Sequence, residues 1–297
     1  MKKLLACILL LSTLLALSAC GEKEGEYRLS VGTVLSEDIE ALTVTGTSAA
    51  VVTDRQGKIV LCRLDCAEID ATVTDKGIVG KVAEKTKAEA KEAYGMKQNG
   101  RALAEWYEQA EYFEKYVTGK TIADIEGVKK GDTDIAAGCT IDVTDFVRAI
   151  AAAIRSDKKT DFTPTGEMTA GLSVSLSSTD NKGNAEFLYD TAAVVVSDGK
   201  VAAAFIDSAE ATVTVENGKG KSFVYGGTKC ELGREYGMVD KGGAIAEWYE
   251  QARSYAQSAV DKTPDSLSSL PTEKVSGCTI DAEPLKAALV RASKNIR

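Results

Sequence analysis

The chain is a tandem duplication, and this constrains its fold more than any other feature. Residues 57–110 align without a gap to residues 199–252, with 23 of 54 positions identical. The best-preserved string, AEWYEQA, occupies Ala104–Ala110 and again Ala246–Ala252. A YGM triplet precedes it both times, at Tyr94–Met96 and Tyr236–Met238. A second string, GCTID, stands at Gly138–Asp142 and at Gly277–Asp281. The offset between copies is 142 in the central stretch, 143 upstream, where Leu29 pairs with Leu172, and 139 at GCTID. Small length changes of this kind fall in turns. A period this long, present only twice, excludes a solenoid. Each copy, at roughly 125 residues, is long enough to bury a core. The organisation read from the sequence is a first repeat over residues 27–155, a polar linker over 156–170 and a second repeat over 171–297. Each repeat is expected to fold separately.

Within a repeat, the first half reads as β structure. Ala192–Val196 and Val201–Val215 are rich in Val, Thr and Ala, and between them Asp198-Gly199 is a two-residue hairpin signal. The first copy has Ala49–Thr53 and Ile59–Thr74 around a turn one residue longer. Asn217-Gly218 predicts a second hairpin. The second half reads as helical. Lys85–Tyr94 lacks breakers and stops at Gly95. Ala102–Val117 places Leu103, Trp106, Tyr107, Ala110, Phe113 and Val117 on one apolar stripe, matched by Ile245, Trp248, Tyr249, Ala252, Tyr255 and Ala259. On this reading Trp106 and Trp248 are core anchors, while Glu105 and Glu108 lie on a solvated flank. A last helix follows GCTID, with Asp142 and Asp281 at the N-cap position and Pro284 in the first turn. Strands followed by helices, without alternation, give an α+β class: two tandem homologous domains, each an antiparallel sheet with helices packed on one face.

The N-terminus carries a separate message. Lys2 and Lys3 precede a short apolar run over Leu4–Leu17, which is the pattern of a secretory signal and too short for a comfortable membrane span. It ends in Leu17-Ser18-Ala19-Cys20, which resembles a bacterial lipobox. The resemblance implies a signal peptide over residues 1–19, diacylation of Cys20 and a polar tether over residues 20–26. The mature chain is then held on the extracytoplasmic face of a cell membrane by lipid.

Composition narrows the chemistry. The net charge is −8, which argues against a nucleic-acid partner. There is no histidine, so no Ser-His-Asp or Cys-His mechanism and no histidine-based zinc site can be built. No other catalytic constellation is legible, and the expectation is a protein that is not an enzyme. Cys62, Cys66, Cys139, Cys230 and Cys278 show no CxxC spacing or metal-ligand pattern. Cys62 and Cys66 lie about 13 Å apart along one strand, beyond disulfide reach. These cysteines read as small buried residues.

GCTID leads into a helix N-terminus, where free backbone N–H groups favour anions. The combination of a hairpin, VVVSDGKVAAAF, with a later KVSGCTIDAEPLKAAL resembles the FMN-binding domain family of exported flavoproteins. That resemblance implies flavin attachment through a hydroxyl at Thr140 or Thr279. The chain departs from the family pattern. Cys139 and Cys278 replace an alanine, Ala137 stands in a Ser/Thr place though Asp134 is kept, and Glu273 stands in an Asp place though Ser276 is kept. The paired helices with YGM and AEWYEQA resemble uncharacterised exported lipoproteins of low-GC Gram-positive bacteria. Two functions follow as expectations. One is a lipid-anchored, non-enzymatic module that binds a ligand or a surface protein. The alternative is an extracytoplasmic FMN carrier that transfers electrons, and the broken motifs predict that neither threonine carries FMN.

Overall fold

The computed structural model describes residues 26–74, 77–100, 102–129, 131–132, 135 and 137–297. Two antiparallel four-stranded sheets carry the fold. β1 (Tyr27–Asp38), β2 (Thr43–Asp54) and β3 (Ile59–Asp70) form one meander. A short strand, β6 (Thr160–Phe162), completes that sheet in the order β3-β2-β1-β6. The second sheet is β10-β9-β8-β7, from β7 (Met168–Asn181), β8 (Asn184–Ser197), β9 (Lys200–Glu216) and β10 (Lys219–Thr228). A small hairpin, β4 (Thr72–Thr74) and β5 (Gly77–Val79), extends beyond β3. The turns obey the chemistry of their residues. Asp198 and Gly199 (φ 51° and 74°) and Asn217 and Gly218 (φ 54° and 75°) are left-handed, as tight hairpins require. In the longer first-copy turn, the Asp54 carboxylate accepts from the N–H groups of Gln56 and Lys58 at 2.9 and 2.8 Å.

Helices cover the outer face of each sheet. In the first repeat these are α1 (Lys87–Ala90), α2 (Met96–Gly100), α3 (Trp106–Val117), α4 (Ile122–Ile125) and α5 (Thr144–Arg155). In the second they are α6 (Lys229–Leu232), α7 (Trp248–Gln257) and α8 (Glu283–Lys294). Alternation along β2 shows why two layers are needed. Ala49 and Val51 point to the helices and pack with Trp106, Phe113 and Ile150. Ala50 and Val52 point the other way, onto the second repeat. The fold is therefore α+β, built as a helix–sheet–sheet–helix sandwich in which the two repeats share an inner core. Leu29, Val31 and Leu61 pack with Leu172, Ala193 and Val195, and further along Val44 and Ile69 meet Leu176 and Phe187. The charge pair Arg291–Glu89 also joins the repeats, with Arg291 Nε 2.7 Å and Asn295 Nδ2 2.9 Å from Glu89 Oε1.

The sheets meet about a local two-fold axis, which shows as contacts between equivalent residues. Ser48 and Thr191, 143 positions apart, share a hydrogen bond at 3.2 Å in the closed interior. Ser48 also bonds Thr33 at 2.8 Å and the Tyr189 hydroxyl at 3.0 Å. Tyr189 occupies in the second repeat the place that Gly46 holds in the first. Its ring lies flush on that glycine: a Cβ at position 46 would sit 2.0 Å from the ring.

Several expectations are corrected. The segment 156–170 is no free linker, because Thr160–Phe162 pairs with β1 and β7 already begins at Met168. The apolar inner faces tie the repeats together, whereas separate cores were expected. The helix read over Ala102–Val117 starts at Trp106, and Leu103 and Ile245 stand 87% and 76% exposed in the preceding loops, off the stripe. Lys85–Tyr94 is not one helix: α1 ends at Ala90, Lys91 takes a left-handed φ of 48°, and a 3-10 turn runs over Lys91–Tyr94 to a left-handed Gly95.

Two outcomes follow. Gly46→Ala should lower stability by about 1–3 kcal/mol through overpacking against Tyr189, measured by denaturant titration. Residues 26–157 or 168–297 made alone should leave a bare apolar sheet face. Neither should show the cooperative melt of the whole chain by circular dichroism, and adding the other half should restore it.

Candidate functional site

The two repeated strings prove to be parts of one device. In AEWYEQA, Glu105 and Glu247 precede α3 and α7. Each reaches back with its carboxylate to the backbone that starts at the methionine of YGM, which in the first repeat is the first turn of α2. Glu105 accepts from the N–H groups of Met96 and Lys97 at 2.8 and 3.1 Å, and Glu247 from Met238 and Val239 at 2.9 and 3.1 Å. Both carboxylates are buried. Glu105 is thus a loop clamp, not the solvated flank expected for it. Glu108 and Glu250 complete capping boxes by accepting from the N–H of Glu105 and Glu247.

The other end of the string holds GCTID. Gln109 lies one turn further into α3. Its carbonyl oxygen accepts from Thr140 N at 2.8 Å, Thr140 Oγ1 at 3.1 Å and Ile141 N at 3.2 Å, while its amide donates to Ala104 O at 2.9 Å. Gln251 repeats every bond, with Thr279 N at 2.7 Å, Thr279 Oγ1 at 2.9 Å, Ile280 N at 3.2 Å and Ala246 O at 2.9 Å. Cys139 and Cys278 point inward as apolar plugs. Tyr112 lies so close over Gly138 that no side chain fits there, and Gly277 is left-handed at φ 75°. Sequence reasoning missed both glutamines. The available signal was their identity in both copies at a buried helical position.

This arrangement does not fit a flavin phosphoester at Thr140 or Thr279. Each hydroxyl donates to a glutamine carbonyl. Esterified, it would lose that hydrogen and set two acceptors against each other. The helix entrances carry carboxylates as well. Asp142 accepts from Thr144 N at 2.8 Å and Asp281 from Glu283 N at 3.0 Å, each one residue ahead of the N-cap position expected for it. They occupy with negative charge the place an anion would take. Asp134 and Leu17–Cys20 lie outside the described residues.

Trp106 and Trp248 are 5% and 8% exposed, and Trp106 packs edge-on to Phe146 at 5.5 Å, as core anchors do. The five cysteines Cys62, Cys66, Cys139, Cys230 and Cys278 are free and buried. Asp65 and Asp207 are also buried at equivalent positions. Each grips the start of the next helix: Asp65 accepts from Ala88 N at 3.1 Å and Asp207 from Cys230 N at 3.1 Å. Burial raises their carboxyls to about 7 and about 6, against the pull of hydrogen bonds from Thr86 and Thr228.

Several open recesses among the described residues have charged walls, and one of them is floored by an ion-pair network. It lies between the edge strand β3 and α3, with a volume of about 380 Å³. Its floor is a buried network. The Glu114 carboxylate accepts from Leu64 N at 2.7 Å and Arg297 Nη2 at 2.6 Å, and it pairs with Arg63 Nη1 at 3.4 Å. Arg63 Nε also reaches Ala170 O, in the second repeat, at 3.2 Å. The network caps backbone groups that an edge strand would otherwise leave unpaired.

Among curated proteins, the chain is similar to a chlorophenol reductase of Desulfitobacterium hafniense. The two are 32% identical over 108 residues, a stretch covering 32% of this chain and 32% of that protein. The match thus spans about a third of that relative's length. No protein-family model and no solved structure matches the chain.

Two measurements test this account. Gln109→Leu and Gln251→Leu should each cost about 1–3 kcal/mol, because the loop N–H groups lose their acceptor. For the aspartates the sign is fixed by raised folded values. Their ionisation opposes folding, so stability should fall as pH rises from about 4, the unfolded aspartate value, to about 7. Asp65→Asn keeps an acceptor oxygen and should flatten that part of the pH–stability curve in urea titrations.

Proposed function

We propose that the protein is a membrane-anchored extracytoplasmic lipoprotein that works as a non-enzymatic binding module, with an acidic body unsuited to nucleic acid. The observation that carries the binding part is that both repeated strings have their polar groups engaged inside the protein. Glu105, Gln109 and Thr140, and their counterparts, clamp loops, and no reacting pair is left among them. What remains is a sandwich whose surface carries charged recesses, one of them built from both repeats. The anchoring part is supported by the leader and Leu17–Cys20.

The alternative, a flavin-carrying electron-transfer protein, is favoured by the partial similarity to a protein named as a reductase. The engaged hydroxyls of Thr140 and Thr279 speak against it. Intact-mass analysis of protein from its native host separates the two. Added mass matching FMN, lost in Thr140→Ala or Thr279→Ala, would install the flavin reading. For the anchor, wild-type protein should incorporate labelled fatty acid, and Cys20→Ala should remain unprocessed and unlabelled. Label retained in that variant would remove the lipoprotein reading.

A further inference from the structure

The two repeats treat the outer edge of their first strand differently. In β7 that edge is covered. Lys81–Ala83 of the first repeat crosses over and lies antiparallel to it: Ser178 N donates to Lys81 O at 2.8 Å and Ala83 N donates to Leu176 O at 2.9 Å. Matched through their strand partners Tyr189 and Gly46, Leu176 corresponds to Leu35 of β1, and Ser178 to Glu37. β6 pairs with β1 only over Tyr27–Leu29. From Ser30 to Asp38 no strand pairs with that side among the described residues. The repeat counterpart of Lys81–Ala83 is Phe223–Tyr225, which stays on β9 instead, with Phe223 opposite Val213 and Tyr225 opposite Ala211. A strand edge with free N–H and C=O groups is a template for another strand.

A second piece is missing at the same place. In the first repeat the capping-box carboxylate Glu89 is held by Arg291 and Asn295 at the end of α8. Its counterpart Glu231 faces α5, where the corresponding positions are Ala152 and Ser156. Glu231 is exposed. It accepts from Thr228 N at 2.9 Å and has no cationic partner among the described residues. The space between Ala152 and Glu231, filled in the other copy by the arginine, belongs to a recess of about 410 Å³ that also reaches Thr33–Leu35 of the bare edge. Arg148 and Arg155 border it, but each is already paired, with Asp145 at 2.9 Å and with Glu126. Tyr225, on the wall of the recess, has its hydroxyl buried without a hydrogen-bond partner.

We infer that this recess takes an extended basic peptide of a partner protein, which adds to β1 as an antiparallel strand. The peptide backbone plays the part of Lys81–Ala83, donating an N–H to Leu35 O and accepting from Glu37 N. A small residue stands opposite Leu35, as Ala83 does opposite Leu176. An arginine or lysine of the peptide pairs with Glu231, as Arg291 does with Glu89, and the acidic body attracts it. The recess is walled by α5 and by β10, so it admits a single extended chain rather than the edge of a second folded sheet. This rests on the binding-module reading and gives the module a partner class. Its failure would leave that reading to the intact-mass test and the anchoring to fatty-acid labelling.

The test uses the full mature chain and calorimetry with a capped peptide, acetyl-Arg-Val-Ala-Val-Arg-amide. The peptide should bind with a Kd of about 0.3 mM, as befits so short a strand. Methylating the alanine nitrogen removes the N–H meant for Leu35 O and should weaken binding about tenfold or more. Citrulline in place of both arginines, which keeps their shape without charge, should do the same. Glu231→Gln should weaken the arginine peptide about tenfold while the circular dichroism melt is unchanged, because glutamine preserves the capping box. Ala152→Arg installs the arginine of the other repeat and should abolish binding in a protein that still melts cooperatively. The proposal is overturned by equal affinity for the parent and either modified peptide, by undiminished binding in folded Glu231→Gln or Ala152→Arg protein, or by no detectable binding at about ten times the expected Kd. A dimer in sedimentation that Ala152→Arg dissolves would also overturn it, since the edge would then belong to a second copy of the chain.

Discussion

The burial of one sheet against the other is the contact on which everything else rests. A strand has two faces, and in β2 both are apolar: Ala49 and Val51 on one side, Ala50 and Val52 on the other. Helices from the same repeat cover one face. The other face would meet water unless a second sheet closed it, and the partner sheet comes from the duplicated half. Because the sheets stack with equivalent residues at the axis, the second repeat supplies the first with the same kind of surface that it needs itself. The short Thr160–Phe162 strand and the Arg291–Glu89 pair add joints around this core. They are secondary to it, since a partly exposed ion pair contributes little beside a sheet face of apolar side chains.

Upon that core the helical halves are hung by buried polar hooks. Glu105 and Gln109 lie one helical turn apart, so one string of residues fixes the Met96–Lys97 stretch and the GCTID loop together. This explains why those strings are the ones duplication preserved most faithfully. A buried acceptor that serves two or three backbone N–H groups has few replacements, whereas apolar neighbours exchange freely, as Phe113 and Tyr255 do. Asp65 and Asp207 follow the same logic at a lower fidelity of charge, holding the next helix with a carboxyl that burial pushes toward the neutral form.

Much of this architecture was legible before any coordinates. The α+β class, the hairpins at Asp198-Gly199 and Asn217-Gly218, and the burial of both tryptophans all follow from local chemistry and periodicity. What stayed hidden was mostly long-range. The pairing of repeats depends on both faces of β2 being apolar, and small residues such as Ala49 and Ala50 give that pattern no contrast. The polar look of 156–170 concealed a strand because three residues at a sheet edge need only backbone bonds, for which side-chain composition is silent. Leu103 and Ile245 matched the helical spacing by chance of position, while the helix could not start until a clamped glutamate set its first turn. At the candidate site, the threonines of GCTID were visible as hydroxyls beside a helix entrance, but their engagement by Gln109 and Gln251 required knowing which helix lay opposite. The charged recess was invisible for the same reason, since Arg63, Glu114 and Arg297 come from three distant segments.

The meeting of Gly46 and Tyr189 carries a consequence for the history of the chain. A dimer of identical ancestors must set every axial residue against its own copy. Two glycines there would leave a void, and two tyrosines would collide. The present pair fits only as one of each, like a plug and a socket made from formerly identical parts. With one of each, neither half can pair in this way with a copy of itself, and fusion into one polypeptide holds the two unlike halves together. It ensures that each socket is made with its plug, in equal numbers and within reach, so that an association which would depend on concentration between separate chains becomes intramolecular.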